Sequence, residues 1–191
     1  MNIVIKTYEG KCIVRPDTTW KRDDEGLYVP EFAGGISLAP IFYARISRAG
    51  RSIGEKFAAR YYDGVGFGVL LFPEAMLDGS EQGYACASCL DHTTFLPVEA
   101  ISPDELSGEY TLRIDGERLF EYAPLSTENQ ACGTALLCQA IAEASKYIYL
   151  RTGDILGIEL SSRHHIWNPG QKEIVISTTL EDKELLRFYI R

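Results

Sequence analysis

The chain has 191 residues, 46% of them hydrophobic and 24% charged, and a formal net charge of −8. That length suits one domain with a single sizeable core, and the composition is ordinary for a globular protein. An acidic surface repels phosphate backbones and anionic membranes, and no run approaches the ~20 apolar residues of a membrane helix, so neither nucleic acid nor membrane is expected as a partner.

From the N-terminus, MNIVIKTYEGK turns polar too early for a signal peptide. Asn2–Lys6 and Lys11–Val14 read as short strands, and Arg15–Thr19 as a turn. Trp20–Gly26, with five charged residues, reads as a solvated loop, and Leu27–Pro30 as a short extended piece. Ile36–Ile46, ISLAPIFYARI, is almost continuously apolar and predicts a strand buried on both faces. Pro40 inside it lacks a donor, which predicts a bulge or a sheet edge there. Ser52-Ile53-Gly54-Glu55 fits a capping box, and Ile53, Phe57 and Tyr61 follow at helical spacing, with Gly64 as the stop. In Gly64–Phe72 the glycines at 64, 66 and 68 fall on one face of a strand. Something must approach that bare face: a neighbouring helix or strand of the chain, or a ligand or subunit. Pro73–Leu77 suggests one helical turn, Asp78–Gly83 a loop, and Tyr84–Leu90 a strand or buried coil.

Ser102-Pro103-Asp104-Glu105 carries a second capping box with proline at the first helical position. Tyr110–Ile114 alternates, Asp115-Gly116 is a hairpin signal, and Arg118–Tyr122 returns. Gly133–Leu150 has a broad apolar stripe of period near 3.6 and predicts the longest helix. Strand Ile155–Leu160 follows, then a polar loop Ser161–Gly170, then a hairpin of Glu173–Thr179 with Leu185–Ile190. The sum is a β-rich α+β single domain over residues 1–191, without repeats or linker. The five cysteines, an odd number in apolar surroundings, predict buried free thiols in a reducing cytoplasm rather than a disulfide framework.

Several segments, in this order, resemble the fumarylacetoacetate hydrolase family: CIVRPDTT, VPEFAGG, FYARI, SRAGRSIGEKFAARYYDGVGFGV, LRIDGE, LRTGDIL and TTLEDKELLRFYI. The resemblance implies that family's mixed β-roll with flanking helices, and a homodimer. It also implies a magnesium or manganese ion held by three carboxylates, and activity as a hydrolase, hydratase, isomerase or decarboxylase on a 2-oxo acid or β-diketone. The metal-binding positions fall at Ala39, Ile41 and Leu70, none of which offers a side-chain oxygen. The family's lid motif has no room between Lys6 and Lys11, its lysine before proline is Arg15, and its substrate turn falls on Ile158, Glu159, Leu160 and Ser161. The expectation is a diverged, non-catalytic form without a metal cofactor, which binds a partner or a small-molecule carboxylate. The alternative is an enzyme with a rebuilt site, for which Arg15, Glu159 and His164 are candidates, with Arg15, His164 and His165 as ligand-binding candidates.

Other groups remain open. Cys86-Ala87-Ser88-Cys89 with His92 suggests a zinc half-site, against a default of buried thiols. Cys132 and Cys138 are spaced too widely to complete it. Cys132 at a helix start is a candidate low-pKa thiol, without an assignable base. His164 and His165, adjacent in a polar loop, read mainly as surface, and on a strand they would point apart.

Overall fold

In a computed structural model, residues 1–21, 26–124 and 133–191 are described. In chain order the strands and helices are β1 (Asn2–Lys6), β2 (Cys12–Pro16), β3 (Trp20–Lys21), β4 (Ile36–Ile46), β5 (Tyr62–Pro73), α1 (Glu81–Ala87), β6 (Thr94–Phe95), β7 (Tyr110–Ile114), β8 (Glu117–Tyr122), α2 (Gly133–Tyr147), β9 (Ile155–Glu159), β10 (His164–Trp167), β11 (Ile174–Leu180) and β12 (Lys183–Ile190). They form two sheets. The larger runs β2-β1-β9-β4-β5-β6-β3, with β10 also on β4, and mixes parallel and antiparallel pairs. The smaller is the antiparallel β12-β11-β7-β8. The α+β, β-rich class read from the sequence is the class observed.

The centre is the β4–β5 ladder. Its register runs from Ile36 opposite Pro73 to Arg45 opposite Gly64, then shifts at Ile46. Side chains alternate across a strand, so this one ladder feeds two cores. Leu38, Phe42, Ala44, Val65, Phe67, Val69 and Leu71 belong to the larger. Leu137, Ala140, Ile141 and Ala144 of α2 cover it, together with Tyr110, Leu112, Ile176 and Phe188 of the small sheet. The opposite parity, Ala39, Ile41, Tyr43, Leu70 and Phe72, joins Ile3, Ile5 and Ile155 in a second cluster. The sheet curls over that cluster. Arg15, on edge strand β2, reaches across it to donate to the carbonyls of Leu71 and Thr93 near the far edge.

Pro40 lies neither at a bulge nor at a sheet edge, because β4 is central. Its carbonyl accepts from Leu160 N at 2.9 Å. Carbonyl and nitrogen of a strand residue point to the same side, so the missing donor faces the edge shared by β9 and β10. There β4 changes partners: Ile41–Arg45 pair with β9, and Ile36–Leu38 with β10. The loss is confined to one bond, the one that a residue-40 N–H would give to the carbonyl of Leu160 opposite, because β9 and β10 pair with β4 only on either side of Pro40.

Other expectations also change. The Ser52 box does not cap an α-helix: Ser52 has φ +51°, and Glu55–Arg60 form a 3-10 turn entered from Gly54. The Ser102 box likewise gives a 3-10 turn, Pro103–Glu105, with no side-chain cap. Tyr84–Leu90, read as strand or coil, contributes to α1, whose N-cap Ser80 accepts from Gly83 N at 2.9 Å. The polar loop after Leu160 contains β10, and Trp20–Lys21 form β3 rather than loop, while 22–25 lie outside the described residues. The glycine stripe is met by the chain itself. A Cβ at Gly66 would stand 2.7 Å from Tyr43 Oη, and one at Gly68 2.5 Å from Leu96 Cδ2. Asp115 and Gly116 both take positive φ, the two-residue turn that Asp-Gly predicts.

Phe67 joins the sheets: its ring stacks on Tyr110 at 4.5 Å and lies 4.9 Å from Phe42. Phe67→Ala is expected to destabilise the fold by about 3–5 kcal/mol, the range for truncating a buried aromatic. Urea unfolding checks this, and a midpoint shift worth less than about 1 kcal/mol contradicts it.

Candidate functional site

Beside the exchange at Pro40 the chain opens a cavity of about 410 Å³. Three segments wall it: the β1–β2 turn with Thr7, Tyr8 and Lys11; the entry and first turns of α1 with Leu77, Ser80, Glu81 and Tyr84; and the β9–β10 crossing with Glu159, Ser162 and Arg163. Each wall has a local cause. The β1–β2 turn closes with Thr7 N on Lys11 O at 2.7 Å and Gly10 N on Thr7 O at 2.8 Å, with Gly10 at φ +86°. The α1 entry is set by Asp78, which accepts from Ser80 N at 2.8 Å and Ser80 Oγ at 2.6 Å. Those bonds hold the Asp78 carboxyl below the usual carboxylate range. The crossing exists because β9 stops at Glu159 and β10 starts at His164, on either side of the proline.

Glu159 ties the three walls together. It is 5% exposed and pairs with Ile41 in the β4–β9 register, so it stands on the second-cluster face. Its Oε2 accepts from Tyr8 N at 2.9 Å and its Oε1 from Tyr84 Oη at 3.0 Å. Burial pushes the Glu159 carboxyl up, while those two donors and the charges of Arg163 and Arg15 pull it back. Burial also raises the Tyr84 phenol, with the Glu159 charge adding to it. The Arg163 guanidinium lies 4.7 Å from the Tyr84 ring centroid, a cation–π distance. Lys11 pairs with Glu81, which clips the β1–β2 turn to α1.

Arg15 is fully buried behind this wall, its guanidinium 4.9 Å from the Phe72 ring, and its Nη2 donates to Thr93 Oγ1 at 2.6 Å. Burial lowers its pKa to about 10, so it remains charged at neutral pH. It does not line the cavity. His164 places Nε2 3.0 Å from Ser161 Oγ, outside the lining. His165 pairs with Ser37 in the β10–β4 register, one position from His164, so the two rings leave opposite faces. Its Nδ1 is 3.4 Å from Glu74 Oε1, the atom to which Ser37 Oγ also donates. Of the candidates read from the sequence, Glu159 alone is in the cavity wall.

Ala39, Ile41 and Leu70 do come together. Ala39 is the direct cross-strand partner of Leu70, Ile41 lies two residues along the same face, and all three are fully buried in the second cluster. A hard dication needs oxygen ligands, and these side chains are hydrocarbon. The residues at the positions that the resemblance assigns to magnesium or manganese do not fit such an ion. Among the described residues no three His, Cys, Asp or Glu side chains converge as a metal site. Cys86 and Cys89, expected to be buried, are exposed on and just after α1; Cys12 and Cys138 are half-buried. Cys132 lies outside the described residues.

Tyr84, Arg163 and Lys11 were not singled out from the sequence. The usable signal was Ser80 followed by helix-forming residues, which starts α1 and places Tyr84 one turn in. Arg163 carried none, since its position depends on the crossing.

A curled mixed sheet with a small antiparallel sheet and one long helix on its convex side defines the class: this is the fold of the fumarylacetoacetate hydrolase family structures. A Yersinia pestis CO92 protein assigned to that family aligns over 100% of this chain and 92% of its own, with TM-score 0.80 and 16% identity. The fumarylpyruvate hydrolase of Pseudomonas aeruginosa, in complex with Mn2+ and pyruvate, aligns over 100% and 88%, with TM-score 0.77 and 12% identity. The 5-carboxymethyl-2-hydroxymuconate delta-isomerase of Mycobacterium smegmatis aligns over 99% and 78%, with TM-score 0.77 and 14% identity. No family model and no curated protein matches the sequence. At these identities the likeness establishes the fold, and function has to come from the site.

The raised pKa of Glu159 has a sign in stability. An acid whose folded pKa lies above its unfolded value, 4.5 here, stabilises most when protonated and loses that contribution as pH rises through the folded value. The stability of the native chain relative to Glu159→Gln is therefore expected to fall from about pH 4 upward and then level off. Urea midpoints of both proteins across that range check it, and a rising difference would show that the Tyr8 and Tyr84 donors outweigh burial.

Proposed function

We propose that this chain binds a small carboxylate-bearing molecule without a metal ion, in the cavity walled by Tyr84, Glu159 and Arg163, and is a non-catalytic form of the fold. The observation that carries this reading is the Arg163 guanidinium. It faces a cavity, rests on an aromatic ring, and has no hydrogen bond or ion pair among the described residues. A planar fork of five donors held that way suits a carboxylate, which it can take in bidentate fashion. Pyruvate in the Pseudomonas aeruginosa hydrolase is a ligand of this kind. What does not carry over is the Mn2+, because Ala39, Ile41 and Leu70 supply no oxygen.

The enzyme reading asks Arg15, Glu159 and His164 to act on one substrate. Arg15 is sealed behind Tyr84 and Phe72, and His164 is bonded to Ser161 away from the cavity, which favours binding over catalysis. A homodimer belongs to the same reading. The described residues hold no helix long and apolar enough to cross a membrane, which agrees with binding from solution.

Calorimetric titration with a panel of small carboxylates tests the reading, with chelator present and then with added magnesium or manganese. Binding is expected at equal strength in both conditions and at least about tenfold weaker in Arg163→Ala, the loss of one charged hydrogen-bonded contact. Binding that requires the dication, or that ignores the substitution, overturns it.

A further inference from the structure

The carboxylate reading uses only half of the wall. Tyr84 holds a cation and an anion at once: its ring underlies Arg163 at 4.7 Å, and its hydroxyl donates to Glu159 at 3.0 Å. The two charges are thus set one side chain apart on the same cavity surface. The other ionised wall groups do not compete for a ligand's charges, since Lys11 and Glu81 satisfy each other and Glu9 stands beside Lys11 on the β1–β2 turn.

Glu159 has capacity to spare. An ionised carboxylate offers about four lone-pair sites and no donor. Tyr8 N and Tyr84 Oη take one on each oxygen. What remains at that end of the wall is an acceptor-only, nearly buried anion. A ligand group placed there must bring hydrogens. A ketone oxygen brings only lone pairs, and set against Glu159 it would leave two acceptors facing each other without a proton between them. An ammonium brings three donors and a compensating charge, and it removes the penalty that burial places on the carboxylate. Next to these polar groups, Cys12, Ile13 and Leu77 give the lining an apolar part.

We propose that the ligand is a zwitterion of the α-amino acid type with an apolar side chain, its carboxylate on Arg163, its ammonium on Glu159 and its side chain against Ile13 and Leu77. This rests on the carboxylate reading above and adds the second charge. It also sets the site apart from one built for 2-oxo acids, because the atom next to the carboxylate carbon must carry a donor rather than an acceptor.

The test uses matched pairs and the full chain. L-Leucine and L-phenylalanine are titrated by calorimetry beside the 2-oxo acids with the same side chains, and beside N-acetyl-L-leucine, which keeps the carboxylate and loses the ammonium. For at least one pair the amino acid is expected to bind about tenfold or more tightly than its 2-oxo acid, with N-acetyl-L-leucine weakened as the 2-oxo acids are. Glu159→Gln is expected to erase the preference for the amino acid while weak carboxylate binding remains, and Arg163→Ala to lose both ligands. Circular dichroism establishes that each variant is folded, and the comparison of ligands on the unsubstituted chain stands without them. A 2-oxo acid that binds as well as its amino acid overturns the zwitterion and leaves the carboxylate reading intact. Failure of both amino acids to bind at millimolar concentration also overturns it. Loss of every carboxylate in the earlier panel would instead remove the reading beneath it.

Discussion

A single missing hydrogen-bond donor, at Pro40, organises the centre of this protein. Strand β4 is buried on both faces and pairs along both edges, an environment that usually excludes proline. The structure accommodates it by ending β9 and beginning β10 on either side of that residue. The chain that crosses from one to the other is then free of the ladder. It carries Ser162 and Arg163 off the sheet and into the wall of the cavity, next to Glu159 at the end of β9. The irregularity that would weaken an ordinary sheet is here the point from which the site is built.

The same strand divides the molecule by parity. One set of its side chains packs under α2 and the small sheet, and the other lies inside the curl. Ala39, Ile41 and Leu70 belong to the inner set, where they make the curl dry and continuous with Ile3, Ile5 and Phe72. That arrangement changes what the scaffold can do. Oxygen ligands at those positions would have to be paid for by a bound cation; hydrocarbon there stabilises the fold by burial alone. The polar groups of the cavity stand at the rim, where Glu159 marks the boundary between the apolar interior and the cavity.

Glu159 and Arg15 show two ways of holding a charge near that boundary. Arg15 lies wholly inside, donating to the Leu71 and Thr93 carbonyls, and so works as a brace across the curl. Glu159 accepts from a turn amide and a phenol, which join the β1–β2 turn and α1 to the end of β9, yet it keeps a face toward the cavity. The brace contributes to the shape of the roll. The shared carboxylate joins the three cavity walls at one group.

Much of the scaffold is legible in the residues. The doubly apolar run Ile36–Ile46, the glycine alternation from Gly64, the Asp115-Gly116 turn and the long stripe after Gly133 each reflect local geometry that the chain obeys wherever it sits. The segments that resemble the fumarylacetoacetate hydrolase family added the order in which those pieces assemble, and the fold agrees. Short capping signals did not decide helix type. The Ser52 and Ser102 boxes yield 3-10 turns, because too few residues follow them before the chain must return to the sheet. The candidate site was hardly legible. Glu159 was visible, but Tyr84 and Arg163 come from segments 70 or more residues away from the β1–β2 turn that they face, and no local pattern records such a meeting. By itself the sequence determined the alternation, the turns and the absence of oxygen at three inner positions, since each is a property of neighbouring residues. Only the tertiary structure decided that Pro40 sits at a change of partners, and that a buried carboxylate and a guanidinium on the cavity wall share one tyrosine, because those depend on which distant strands the curl brings together.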